Sequence, residues 1–190
     1  MTNLDALREI YPYDPHTRTF TIPTRVANYN EFFNPLDPSP APARDLTPEL
    51  VEYLNQCSIE IPAQYGLIIR LQVENAPQSP QHEQDCISSL RTFYQHNVFV
   101  VQAHIQRMRS RALKFLLISF LCLAVTILGE GWVSAGFVGN LLQEALLIGG
   151  WVFMWEAVTL NFIEMDSYSQ EIIRFRRLIA AKVTFSNDQN

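Results

Sequence analysis

The sequence predicts a mainly α membrane protein: a two-helix transmembrane hairpin whose first span continues a long cytoplasmic helix, with a small α+β cytoplasmic part. Three observations predict it. Residues 115–128 read FLLISFLCLAVTIL with no charge, and 145–163 read ALLIGGWVFMWEAVTLNFI with Glu156 as the single charge. Lys and Arg stand outside both runs and are missing from the connection between them. All 11 prolines lie in residues 1–80, so two different materials are joined in one chain.

A helix needs about 20 apolar residues to cross a bilayer core. Lys114 can snorkel to the headgroups, so the first span is taken as 112–130. A glycine-rich external connection follows over 131–144, and the second span is 145–163. The alternative, a buried hairpin of a soluble protein, fits the length and hydropathy less well. Arg107, Arg109, Arg111 and Lys114 precede the first span, and Arg174, Arg176, Arg177 and Lys182 follow the second. Positive-inside logic then puts both termini in the cytoplasm of a multi-pass protein of the inner (plasma) membrane. The cysteines Cys57, Cys86 and Cys122 are odd in number and widely spaced, which implies no disulfide framework and agrees with a reducing compartment. The start, MTNLDALREI, has neither the basic nor the apolar region of a cleaved signal peptide. A formal charge of −5 argues against a nucleic-acid binder.

The other elements are read in chain order. Residues 1–47 are expected to form a Pro-rich extended arm that packs on a protomer, with a possible short strand at RTFTIPTRV. The segment NPLDPSPAPARD carries four prolines in twelve residues and cannot be regular helix. A cytoplasmic α+β part with a stalk helix is expected over 48–111. Thr47-Pro48 reads as N-cap and first helical position of a helix reaching about Ser58. Residues 65–73, YGLIIRLQV, are the best strand. Ser79-Pro80 starts a helix that no proline or glycine interrupts before residue 128. At 1.5 Å per residue it would be about 70 Å long and would need something to pack on, for which neighbouring protomers are natural. The last segment, 164–190, is expected to hold an amphipathic basic helix and a short strand, 182–185, pairing with 65–73. That helix either lies on anionic lipid or packs on the cytoplasmic domain.

Glu156 is the most informative single residue. A charge near the bilayer centre costs about 2.5–3.5 kcal/mol on insertion scales and usually faces protein or water. Pairing the two spans by depth sets Glu156 level with Ser119 and suggests a hydrogen bond between them. Such a carboxyl either lines an ion or proton path or, neutral and hydrogen-bonded, holds helices together. Ala145, Gly149 and Gly150 allow close helix approach, and Trp151 and Trp155 would pack against another helix. Lys114, Trp132, Arg174 and Arg177 are the expected interface anchors. His82 and Cys86 share a helix face, but a metal site would need further ligands. His96 and His104 also share a face and could sense pH at a helix interface. No phosphate loop, nucleotide fingerprint, nucleophile elbow or zinc motif is found, so no catalytic residue, metal or cofactor is expected.

Four motifs point further. Phe33-Asn34 with Asp37, Pro38 and Pro40 is the first. Arg44, Asp45, Leu46, Pro48 and Leu50 make the second, and Cys57, Ser58, Ile61 and Pro62 the third. The most specific is the fourth, Gly149 to Val152 with Trp155 to Ala157. Together they resemble an uncharacterised family of bacterial and archaeal two-span membrane proteins, over most of the chain from about residue 20. The tail EMDSYSQEI departs from that family's more basic pattern, which weakens a lipid-surface role there. The resemblance implies the architecture and leaves the activity open.

The expected function is a non-catalytic integral membrane protein that self-associates or acts as an accessory or scaffold subunit of a membrane assembly. Its partners would be the lipid bilayer and further copies of the chain or a larger membrane complex. The alternative is a subunit of an oligomeric ion-conducting channel, which two spans can form only as a ring. A membrane-bound sensor would need a ligand pocket in the cytoplasmic part, which the sequence alone does not reveal.

Overall fold

The structure, a computed structural model, describes residues 3–129, 136–161 and 165–187. The chain divides into two compact units, Met1–Phe99 with Glu171–Asn190, and Val100–Gln170. It is mainly helical, with a four-strand mixed sheet and two long apolar helices.

The first unit is built on that sheet. Its strands are β1 (Tyr13–Asp14), β2 (Thr19–Val26), β3 (Gly66–Val73) and β4 (Lys182–Asn187), in that spatial order. β1 pairs antiparallel with β2, while β2, β3 and β4 run parallel. Parallel neighbours need crossover connections. A helix, α2 (Pro48–Glu60), links β2 to β3, and everything between residues 74 and 181 links β3 to β4. In β3 the side chains alternate, so Leu67, Ile69, Leu71 and Val73 are buried while Gly66 and Arg70 are exposed. The register Phe20↔Leu67, Ile22↔Ile69 and Val26↔Val73 puts the apolar residues of β2 on the same face. A Cβ at Gly66 would lie 2.8 Å from Thr19 Cγ2, so a side chain there would require Thr19 to shift.

Three helices contribute to the core of this unit. From α2 come Leu50, Leu54 and Cys57. The start of α3 (Pro80–Leu128) adds Cys86, Leu90 and Tyr94, and the end of α5 (Met165–Ala180) adds Phe175 and Leu178. The rings of Tyr94 and Phe175 lie 5.6 Å apart. The early part of the long helix therefore packs inside its own chain, where a neighbouring protomer was expected. The C-terminal helix likewise packs on this unit over 171–180.

Residues 1–47 differ from the expected arm. They hold α1 (Asn3–Ile10), β1, β2 and a 3-10 turn at Tyr29–Phe32. Phe20, Ile22 and Phe32 are fully buried. Prolines do not prevent this: Pro23 sits in β2 with its missing N–H on the outer edge. The four-proline segment is irregular as expected, and Asp37 fastens it. Its carboxylate accepts from Ser39 N at 2.9 Å and from Asp45 N at 2.7 Å. These bonds hold the Asp37 carboxyl below its ordinary range.

The second unit is a helical hairpin made from the later part of α3 and from α4 (Phe137–Thr159). Both helices are long and apolar enough to cross a membrane. α4 begins eight residues before the apolar run at 145, and its α-helical turns reach Thr159, followed by π-helical residues at 160 and 161. Polar residues such as Asn140, Gln143 and Glu144 do not stop a helix. An apolar run marks which part of a helix avoids water, and leaves open where the helix starts.

Candidate functional site

The hairpin is set by a few contacts. Gln143 Nε2 donates to Thr126 O at 3.4 Å, Ser119 Oγ donates to Gly150 O at 2.7 Å, and the rings of Phe115 and Phe153 stack at 5.9 Å. Numbers rise on one helix as they fall on the other, so continuing this register sets Glu156 level with Ala112 and Leu113. The expected Ser119–Glu156 hydrogen bond is therefore corrected. Ser119, 1% exposed, bonds to the Gly150 carbonyl, and Glu156 lies exposed in the last turn of α4. The error came from taking the limits of the apolar run as the limits of the helix.

The helix-packing set divides in the same way. Gly150 is the packing glycine: a Cβ there would meet Leu123 Cγ and Cδ2 at 3.2 Å. A Cβ on Gly149 would meet nothing within 4 Å. Trp151 and Trp155 are 61% and 71% exposed, and Ala145 is exposed too, so none of these packs inside the chain. Ala145, Gly149, Val152 and Glu156 follow one another at four, three and four residues, which places them on one stripe. Toward the other end of the unit, Arg109 Nε lies 3.4 Å from Met165 Sδ, and the rings of His104 and Tyr168 are 4.8 Å apart.

Of the expected interface anchors, Lys114 is exposed and Arg174 half-buried, and neither makes a hydrogen bond or ion pair among the described residues. Trp132 lies outside the described residues. Arg177 is engaged within its own unit. Its Nη1 donates to Ser58 O at 3.1 Å and Ile61 O at 3.0 Å. Its Nη2 donates to Pro62 O and Tyr65 O, each at 3.1 Å. The last carbonyls of a helix have no partner of their own, and a cation there also meets the negative end of the dipole. Burial lowers the Arg177 pKa from its ordinary value. Nothing local in the sequence separates Arg177 from Arg174 and Arg176, because its partners lie more than 110 residues away in the chain.

In the first unit, His82 stacks on Tyr29 with ring centroids 5.3 Å apart. Cys86 is buried, and burial pushes its thiol up to about 12. Among the described residues no group of three or more His, Cys, Asp or Glu is placed to hold a metal.

A cavity of about 830 Å³ opens where β2 ends and α2 begins. Its lining includes Pro23, Val26, Glu31, Phe33, Glu49 and Tyr53. Tyr53 Oη donates to Pro23 O at 2.8 Å. Sequence reasoning missed this site because it divided the lining between an arm and a helix.

Compared with known protein families, with curated proteins and with solved structures, the chain matches none of them.

Proposed function

We propose that this is a non-catalytic two-span membrane protein of the plasma membrane, with both termini cytoplasmic, that self-associates or scaffolds a membrane assembly through the outward stripe of α4. The observation that carries the reading is the hairpin's surface. The hairpin exposes many large apolar residues, among them Leu117, Leu121, Leu128, Ile148 and Trp155, whereas the first unit buries Phe20, Ile22, Leu54, Ile69 and Tyr94 and exposes scattered ones such as Leu36 and Ile59. Ala145 and Gly149 on the outward stripe would let another helix approach closely. Both ends of the chain feed one sheet, since β2 and β4 flank β3, so two crossings would return the chain to its starting side.

The two-span family belongs to the same proposal. Its third motif supplies Ser58, Ile61 and Pro62, whose carbonyls Arg177 holds, and its fourth supplies Gly150. The channel reading of Glu156 has less support, because the hairpin register sets that residue level with Ala112 and Leu113, away from the middle of the spans.

Native mass spectrometry of the full chain in nanodiscs tests the proposal. A dimer or larger species is expected, and Gly149→Leu should reduce it at least about tenfold, equivalent to roughly 1.4 kcal/mol. A wild-type chain that stays monomeric at all lipid ratios would overturn self-association.

A further inference from the structure

The cavity beside β2 belongs wholly to the first unit, so its chemistry is independent of the membrane reading. The cavity lies at the carboxyl end of β2: Pro23 to Val26 are the last residues of that strand, and Thr47, Glu49 and Leu50 are the start of α2. Its volume, about 830 Å³, falls in the range of small-molecule sites.

A peptide strand cannot fill it by extending the sheet. β1 covers the outer edge of β2 only at Thr19 and Phe20. Beyond them, Thr21 N is bonded to Pro12 O at 2.8 Å. Pro23 has no N–H, and its carbonyl already accepts from Tyr53. A new strand would need bonding groups at every second residue, and two successive ones are taken.

The charges in the wall select the ligand. Glu31 and Glu49 are both in the lining. The one cation there, Arg25, is engaged by Glu74 at 3.3 Å. Glu31 accepts from Ala27 N at 2.9 Å, which leaves Glu49 as the carboxylate with no hydrogen bond or ion pair among the described residues. Phe33 and Tyr53 supply aromatic surface, joined by Pro23, Val26 and Leu50. One face of the Phe33 ring is occupied by the Arg44 guanidinium, 5.9 Å from its centroid, and Phe33 is 7% exposed against 41% for Tyr53, so Tyr53 supplies most of the aromatic surface. A carboxylate beside an apolar aromatic surface suits an organic cation whose charge meets the carboxylate and whose apolar body packs on the ring. The N–H groups of Glu49 and Leu50 in the first turn of α2 have no partner among the described residues and by themselves would favour an anion. The Glu49 side chain in that same turn already offsets the helix dipole.

We infer that this crevice binds a small organic ammonium ion with an apolar body, its charge on the Glu49 and Glu31 side and its body against Tyr53 and Phe33. The test uses three probes of similar shape: phenethylammonium, 3-phenylpropionate and zwitterionic phenylalanine. Each is titrated by calorimetry into the full chain in nanodiscs, with empty nanodiscs subtracted. Phenethylammonium should bind saturably and at least about tenfold more tightly than 3-phenylpropionate. Glu49→Gln should weaken it about three- to tenfold. Glu52→Gln removes the same charge from the same helix outside the cavity and should leave binding unchanged. Absence of saturable binding, equal or tighter binding of 3-phenylpropionate or phenylalanine, or equal effects of the two Gln variants would each overturn the inference.

Discussion

The α/β unit and the hairpin unit bury their apolar residues differently. In the first, Phe20, Ile22, Leu54, Ile69 and Tyr94 are each fully covered by their own chain. In the second, Leu128 is 79% exposed and Trp155 71%. Apolar surface left in water forgoes about 25 cal/mol for each Å². The first unit therefore carries its stability inside itself, and the second takes most of its stability from whatever surrounds it. Among the described residues, the contacts that hold the hairpin internally include the buried Ser119 hydroxyl bond, the Gln143–Thr126 bond, the Phe115–Phe153 stack and the close approach at Gly150.

Three changes would break or sharpen this contrast. The largest effect is expected at Arg177. Arg177→Met keeps much of the apolar stem and removes four hydrogen bonds to carbonyls at the end of α2 and the loop before β3. Bonds to a charged donor are worth about 1.5–3 kcal/mol each and are not additive, so a total loss of about 2–4 kcal/mol is expected. Urea unfolding followed by tyrosine fluorescence of the α/β unit would read it. If Arg177 served the lipid surface instead, the same variant would leave that transition in place and lower membrane partitioning.

The adjacent glycines come next. Gly150→Leu drives a side chain into Leu123 and should cost the hairpin about 1–3 kcal/mol. At Gly149 the added side chain meets nothing in the chain, so Gly149→Leu should change hairpin stability by less than about 0.5 kcal/mol. Thermal unfolding in detergent, followed by helical circular dichroism, compares the two. Equal losses would mean that the two faces of α4 are not distinct.

The smallest effect concerns Asp37. Its folded pKa is lowered, so its contribution is present above the ordinary carboxylate range and is lost as pH falls through the lowered value. Amide exchange at Ser39 and Asp45 should rise on acidification through that range. Asp37→Asn should remove the step and make exchange there flat with pH.

Much of the fold was legible in the sequence wherever the signal is local. The alternation in 66–73 marks β3, Thr47-Pro48 marks the start of α2, and the absence of proline and glycine after Pro80 marks one helix to residue 128. The short strand at 182 and its pairing with β3 were also expected and are found. The first helix was missed, although Leu4, Leu7 and Tyr11 recur at three and four residues and the last two are buried. Residues 19–26 were read as a possible strand inside an arm, because nothing nearby says that β3 will pair along their whole length.

The sequence by itself determined α2, β3, the long helix from Pro80 and the segregation of apolar residues into two materials, since these follow from local periodicity and from the length of uncharged runs. Only the tertiary structure decided that β2 pairs in parallel with β3 along its whole length and that Arg177 closes the end of α2. It also decided that Glu156 comes level with residue 112 rather than Ser119, and that a crevice stands beside β2. Each of these depends on which distant backbone groups find one another. A hydrogen bond across more than 110 residues leaves no mark on the local pattern of the residues that make it.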